Sequence, residues 1–414
     1  MITKKLCICV PTYNSPDNIE RFLNEQVIFF YECNVDLHIY DSSVDDKTLN
    51  IVRKYDYNNI FYHKINSDIH SNIKVYNIFE SAENSNYEYI WMIHDHTICQ
   101  KEALLYLMEA LDKKFDFIVL NTQSNDNHLE EYQTLDDFLV NAAWRLNSYG
   151  ASVIKIDTFL KNVDWQHMYQ KYINPITLNY SHIGFYFERA SELENVKVCE
   201  LHFNRKNFLD FRRDKKINWG NETIRICTQC WYSVITSLPD VYKKKKEALG
   251  NQDKWFMSKY SLISYKKNKA YGLKCFFTYR QWIKLLYPKD YLRNFIIALL
   301  PYKMSLNIYS RKLIKEIKNT DKNSGKIFIY GAGRHAVECA CFLKELNIDL
   351  SGFIVTDTHG NPKKLLNHKV YKIDKQLLTN ALVIIAILTS GIKDVKNTLD
   401  EYKSSNTKII EFGE

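Results

Sequence analysis

Tyr89-Ile90-Trp91-Met92-Ile93-His94-Asp95-His96-Thr97 is the stretch on which the reading of this chain turns. Four of its first five residues are aromatic or β-branched, and the run then stops at three polar, metal-competent side chains. That pattern predicts a buried strand that delivers His94, Asp95 and His96 at its C-terminal tip. In open α/β sheets, ligands bind in the crevice outside the C-terminal ends of the strands.

Upstream, the same pattern repeats. Leu6–Val10 is an apolar run that breaks at Pro11-Thr12-Tyr13-Asn14, and Val35–Tyr40 alternates until Asp41-Ser42-Ser43. Helical spacing over 19–30, 45–55, 72–84 and 101–111 separates these runs from strands at 60–63, 89–93 and 115–120. Strands alternating with helices imply a mostly parallel sheet with helices on both faces. Further on, Tyr149–Ile156 reads as a strand entered through Gly150. Residues 157–165 and 182–193 read as helices, and 196–202 as a strand.

If these strands are parallel, their polar tips share one edge. A nucleobase needs an edge-on acceptor and an apolar or aromatic face, which Asp41 and Tyr13 suit. A departing diphosphate needs a cation to hold its charge. Asp95 with His96, helped by Lys74, suits that need. Either aspartate alone reads first as a helix cap; the ordered set of Pro11, Thr12, Tyr13, Asn14, Asp41, Ser43 and Asp95 argues for a cleft.

Composition bounds the rest. The 414 residues allow two or three domains. A hydrophobic content of 46% with 25% charged residues excludes a disordered chain. Residues 241–320 hold 19 Lys and Arg against 4 Asp and Glu, a local +15 that leaves −7 of the overall +8 to everything else. Interleaved aromatics and the Lys243–Lys246 run suggest helices that dock on an anionic membrane surface. No nucleic-acid recognition motif accompanies the charge. The ten cysteines form no disulfide framework; Cys227 and Cys230 have metal or redox spacing without a second pair. No apolar run approaches the ~20 residues that span a bilayer, and the first ten residues read as a strand rather than a signal peptide. The expectation is a reduced, cytoplasmic protein, peripheral at the inner face of the plasma membrane. Near the C-terminus, Gly331-Ala-Gly-Arg-His-Ala336 follows a strand, and Asp357 ends the next one. Gly331, Gly333 and Asp357 have the geometry of a phosphate turn. In so small a domain a packing or assembly role is expected there, ahead of NAD or another nucleotide.

Val10-Pro11-Thr12-Tyr13-Asn14, Tyr40-Asp41-Ser42-Ser43-Val44-Asp45 and Tyr89…His94-Asp95-His96 together resemble the landmarks of family 2 glycosyltransferases with the glycosyltransferase-A fold. The resemblance covers roughly residues 5–200, and the C-terminal segment resembles small Rossmann-like modules. It implies an α/β protein with a glycosyltransferase-A-type catalytic domain over 1–238, a basic aromatic helical region over 239–322 and a Rossmann-like domain over 323–414. It implies transfer, with inversion, from a nucleoside-diphosphate sugar, a UDP-sugar foremost. The acceptor would be a hydroxyl of a glycan or lipid-linked glycan in bacterial surface polysaccharide synthesis, and the protein could assemble into oligomers. Asp95 and His96 would hold a divalent cation, Mn²⁺ or Mg²⁺. His94 and His96 stand where the family commonly has aspartates, and Mg²⁺ prefers oxygen ligands. The family's general base would correspond to His182, with Asp164 and Glu188 behind it. Two other readings remain: a nucleotidyl- or glycerophosphate-type transferase using the same cleft, and a non-catalytic scaffold with a degenerate transferase domain.

Overall fold

The computed structural model describes residues 4–124, 126–210, 220–321, 325–358, 361–387 and 391–412. Its contacts divide the chain into two units: Met1–Phe211 with Ile226–Asp253, and Arg212–Arg225 with Lys254–Glu414.

The first unit is built on one eight-stranded sheet. Its opening elements are β1 (Lys4–Thr12), α1 (Pro16–Glu32), β2 (Asp36–Asp41), α2 (Lys47–Val52), β3 (Ile60–Lys64), α3 (Ser71–Ala82) and β4 (Tyr87–Met92). After the short β5 (Thr97–Cys99) come α4 (Lys101–Leu111), β6 (Phe117–Ser124), β7 (His128–Glu131) and α5 (Leu135–Ala142). The remainder is β8 (Ser152–Lys155), α6 (Trp165–Tyr172), α7 (Ser181–Glu192), β9 (Val198–Asn204) and β10 (Phe208–Asp210). The strand order is β3-β2-β1-β4-β8-β6-β9-β7. Pairing among β3, β2, β1 and β4 is parallel, as is β6 with β9. β8 runs antiparallel to both β4 and β6, and β7 antiparallel to β9. Six strands therefore share one direction.

The hydrophobic runs explain the layering. Leu6, Ile8 and Val10 of β1, Tyr89 and Trp91 of β4 and Leu201 and Phe203 of β9 face one core with Phe22, Leu23 and Phe30 of α1 and Leu104 and Leu107 of α4. At roughly 25 cal/mol per Å² of apolar surface removed from water, such two-sided burial is the main stabilising term for a parallel sheet. The expected strand 149–156 begins late. Tyr149–Ala151 is a 3₁₀ turn, and only 152–155 pair. The expected helix 157–165 is a five-residue π-turn (Ile156–Leu160) followed by α6.

The second unit opens with α8 (Thr223–Arg225), and the first unit closes with α9 (Trp231–Ser237) and α10 (Lys245–Gly250). Helices α11 (Lys259–Lys267), α12 (Leu273–Leu286), α13 (Tyr291–Leu299), α14 (Tyr302–Tyr309) and α15 (Arg311–Asp321) then lead to β11 (Lys326–Tyr330) and α16 (Arg334–Glu345). β12 (Gly352–Val355), β13 (Lys364–Leu365), β14 (His368–Lys372), α17 (Lys375–Leu378), β15 (Ala381–Ile385), α18 (Ile392–Tyr402) and β16 (Lys408–Glu411) complete it. The order β14-β12-β11-β15-β16 is wholly parallel, with β13 added by a hairpin. This is a doubly wound, Rossmann-like sheet. One face shares a core with the preceding helices, through Trp255, Tyr260, Phe276 and Ile297 against Ile327, Ile329 and Phe342. α17 and α18 cover the other face through Leu378, Val395 and Leu399.

Candidate active site

Register brings the strand tips to one level. Cys9 of β1 pairs with Met92 of β4, and Thr12 pairs with Asp41 of β2. Three residues beyond the first pair stand Thr12 and Asp95, and the Thr12 hydroxyl donates to Asp95 Oδ2 at 2.8 Å. Asn18, in the first turn of α1, donates to Asp95 Oδ1 at 3.4 Å, and His96 Nδ1 lies 2.9 Å from the same oxygen. Burial pushes the Asp95 carboxyl up. Hydrogen bonds from His96 and Thr12, with the charges of His96 and His94, outweigh this and hold it below the usual range. Asp95 is thus an anion held at the centre of three elements.

The second tip is tied to the first. Asp41 accepts from the Ser43 backbone N–H at 2.8 Å, from the Ser43 hydroxyl, and from the Tyr62 hydroxyl at 2.8 Å. Ser43 Oγ in turn accepts from the Asn14 N–H at 2.8 Å. Asn14 has φ +49°, so the chain after Pro11-Thr12-Tyr13 turns through the left-handed region, which Asn tolerates better than most residues. Tyr13 is half exposed beside it. Asp41 itself is fully buried, so it acts by fixing Ser43 and the Asn14 turn.

Lys74 of α3 locks both tips from beneath. Its Nζ donates to the Thr12 carbonyl at 2.8 Å and to Ser42 Oγ at 2.6 Å. Burial lowers its pKa to about 8, against the pull of Asp41 and Asp95. Its place, 4% exposed, is inside the tip cluster rather than on its surface.

The histidines flanking Asp95 differ. The His94 ring packs on Tyr149, centroids 4.2 Å apart, and its Nε2 meets Ser148 Oγ at 2.9 Å. Gly150 allows this approach: a Cβ there would lie 3.2 Å from His94 Cδ2. His96 is buried and turned toward Asp95. Asp95 and His96 therefore offer one carboxylate and one imidazole already bonded to each other. That donor set does not enclose a cation by itself. It fits the arrangement in which one carboxylate and the substrate's own phosphate oxygens hold Mg²⁺ or Mn²⁺.

Each of the three expected bases has hydrogen-bond partners of its own, and the His182 ring meets Tyr149 edge-on, centroids 6.5 Å apart. His182 lies in the first turn of α7, 2% exposed, with Nε2 3.0 Å from the Leu146 carbonyl; burial lowers its pKa to about 4. It is a neutral ring that fixes the 145–147 turn. Asp164 caps α6 by accepting from the His167 N–H at 2.9 Å. Glu188 accepts from Lys171 and the Tyr172 hydroxyl, both at 2.6 Å, in a buried ion-pair network. Asn18, Tyr62, Ser148 and Tyr149 join the site without a sequence signal, because each arrives through register or a turn.

In the second unit, Gly331 follows β11 with φ +119°, and a Cβ there would stand 3.0 Å from the Ala386 carbonyl oxygen and from Ile387 Cγ2. Chain packing alone requires that glycine. Gly333 caps α16, and Asp357 follows β12, its carbonyl accepting from Asn361 Nδ2 at 2.7 Å. Cys227 and Cys230 are buried in a π-turn. Among the described residues, they belong to no converging group of metal-ligating atoms.

Residues 7–192 match the model of the family described as Glycosyl transferase family 2. No curated protein matches the chain. Solved structures similar to it include S. aureus TarS 1-349 in complex with UDP (13% identity, covering 75% of this chain and 91% of that one, TM-score 0.39). Another is the mannosyltransferase PcManGT from Pyrobaculum calidifontis in complex with GDP-Man and Mn²⁺ (12% identity, 73% of this chain and 85% of that one, TM-score 0.35). At those scores the likenesses carry no argument about the site.

The Lys74 geometry makes a pH-dependent prediction. Its folded pKa, about 8, lies below the unfolded value of about 10.4. Between these values the unfolded chain binds the extra proton, so this group raises stability as pH rises. In urea unfolding from pH 7 to pH 10, the stability of the wild type relative to Lys74→Met should move in favour of the wild type above pH 8. A difference that stays flat with pH contradicts the buried placement.

Proposed function

We propose that residues 7–192, which match the model of Glycosyl transferase family 2, form a glycosyltransferase domain whose Thr12–Asp41–Asp95 cluster binds a nucleoside-diphosphate sugar and transfers its sugar to an acceptor hydroxyl with inversion. The observation that carries this is the hydrogen bond from Thr12 to Asp95, with the Asp41–Ser43–Asn14 chain beside it. Together they build one patch from three strand tips. In this reading Tyr13, exposed at the turn, stacks on the base. Ser43 and Asn14 shape the nucleoside end, and Asp95 marks the diphosphate end. A divalent cation, when bound, neutralises the charge on the departing diphosphate.

The transfer itself is a single displacement. The acceptor oxygen forms a bond to the anomeric carbon, and the bond from that carbon to the diphosphate oxygen breaks. The electron pair leaves with the nucleoside diphosphate, and the acceptor proton passes to a base. His182 is not assigned that role, since its ring is buried against Leu146.

The reading extends to the acceptor. A lipid-linked glycan would be met at an anionic membrane surface, and α12 supports this. Leu273, Phe277 and Leu285 are exposed along it, and Lys274, Arg280 and Lys284 are exposed among them. Leu292, Leu299, Met304 and Ile308 continue the exposed apolar set on α13 and α14. No helix among the described residues is long and apolar enough to cross a membrane, so attachment would be at the surface.

Two outcomes test the proposal. In thermal melting, one of UDP, GDP or CDP should raise Tm by several degrees at millimolar concentration, and Mn²⁺ should enlarge the shift. Asp95→Asn should abolish the Mn²⁺-dependent increment. No shift with any nucleoside diphosphate would sink the donor site. Separately, the protein should co-sediment with phosphatidylglycerol vesicles and not with phosphatidylcholine vesicles. Replacing Lys274, Arg280 and Lys284 by Gln should weaken sedimentation at least tenfold, and equal binding to both vesicles would contradict the membrane reading.

A further inference from the structure

A second group of ligand atoms lies on the other half of the first unit's sheet, and the proposed function leaves it unused. In the antiparallel pair β7–β9, His128 stands directly opposite His202 and Glu130 directly opposite Glu200. Alternate residues of a strand share a face, so the four side chains form a square on one side of the ladder. The two imidazoles stack, centroids 3.9 Å apart and planes 17° from parallel, so one ring must rotate about its Cβ–Cγ bond before both in-plane lone pairs meet at one ion. Their Nε2 atoms both approach the Glu130 carboxylate, His128 at 3.3 Å and His202 at 3.6 Å. A ligand atom from each of His128, Glu130 and His202 lies within 4.8 Å of the other two. His202 Nε2 is buried and, among the described residues, makes no hydrogen bond, although Glu200 Oε1 lies 3.3 Å away.

The two glutamates of the square differ in their partners. The carboxylate with a structural task is Glu200, which accepts from Asn121 Nδ2 at 2.7 Å and from the Tyr132 hydroxyl and pairs with Arg145 at 3.2 Å. Among the described residues, Glu130 has no such partners beyond the two rings. We propose that His128 Nε2, the Glu130 carboxylate and His202 Nε2 bind a zinc-class divalent ion that clamps edge strand β7 to β9. Two imidazoles and one carboxylate are a donor set suited to Zn²⁺ and poor for Mg²⁺ or Ca²⁺, which take oxygen ligands. The open side faces solvent, since the side chains of Glu130 and His128 are 66% and 38% exposed.

Outer groups stand beside both rings. His128 Nδ1 lies 3.4 Å from Asp126 Oδ1 without a hydrogen bond to it. His202 Nδ1 lies 3.1 Å from Asn121 Nδ2. The same amide donates to Glu200 Oε1 at 2.7 Å and its Oδ1 accepts from the Gln123 N–H at 3.1 Å, so its orientation is fixed. A metal on Nε2, with the proton on Nδ1, therefore shifts the His202 ring off the Asn121 amide. Arg145, paired with Glu200, begins the turn whose later residues, Ser148 and Tyr149, hold His94. The clamp therefore anchors the same segment that borders the candidate active site.

The test is calorimetric titration of Zn²⁺ and Mg²⁺ into untagged, metal-stripped full-length protein. One Zn²⁺ per chain should bind, Mg²⁺ should not compete, and Tm should rise with Zn²⁺. His128→Gln should remove the site, and Glu130→Gln, at an exposed position that leaves folding undisturbed, should weaken it at least tenfold. Asp95→Asn should leave Zn²⁺ binding unchanged, which separates this site from any cation at the strand tips. Zn²⁺ binding that survives both His128→Gln and Glu130→Gln, or that disappears in Asp95→Asn, would overturn the proposal.

Discussion

The hydrogen bond from Thr12 to Asp95 depends on a single constraint: β1, β2 and β4 must run in the same direction and in one register. A one-residue slip of β4 against β1 would turn its buried Tyr89 and Trp91 to the opposite face. It would also carry Asp95 away from Thr12. The apolar faces that fix the register therefore also fix the site. Lys74 completes the constraint with its bonds to Thr12 and Ser42, which hold the β1 and β2 tips together. Two aspartates near one another in a buried cluster need a compensating cation, and Lys74 supplies it from α3. Its depressed pKa is the cost of that burial.

Much of this arrangement is legible in the sequence because hydrophobic runs stop abruptly. Val10, Tyr40 and Ile93 are each followed at once by Pro, Asp or His, and the strands end at Thr12, Asp41 and Met92, within two residues of those points. What the one-dimensional pattern does not carry is direction and reach. Nothing in Ser152–Lys155 distinguishes an antiparallel strand from a parallel one, and its neighbours β4 and β6 decide the matter. Gly150 reads as entry to a strand, whereas its lack of a side chain lets the 149–151 turn close on His94. His182 sits at a helix start, where a base is expected. Whether its ring faces a cleft or a carbonyl depends on the Arg145–Asn147 turn, which sequence spacing does not place.

The second unit shows a related limit. The Gly331-Ala-Gly-Arg-His-Ala336 turn is visible in the sequence, and a parallel Rossmann-like sheet forms around it. The positive φ at Gly331 and its approach to Ala386 account for that glycine through chain packing alone. The basic helices before it are legible as amphipathic. That their aromatics share a core with the sheet is a tertiary fact, carried by Trp255 against His335 and Tyr260 against Phe412. The His128–Glu130–His202 group went unseen in the sequence because its third member is 72 residues away and meets the others only through the β7–β9 pairing.

The central claim is that the three strand tips form a sugar-nucleotide donor site in which Asp95 marks the diphosphate end. The most direct measurement is the rate of sugar release from a panel of nucleoside-diphosphate sugars, with and without Mn²⁺, for the wild type and Asp95→Asn. The wild type should turn over at least one donor. In Asp95→Asn the rate should fall by about 10² to 10³, the size seen when one charge-stabilising group is removed from an active site. Turnover of no donor, or equal turnover by the two proteins, would contradict that claim.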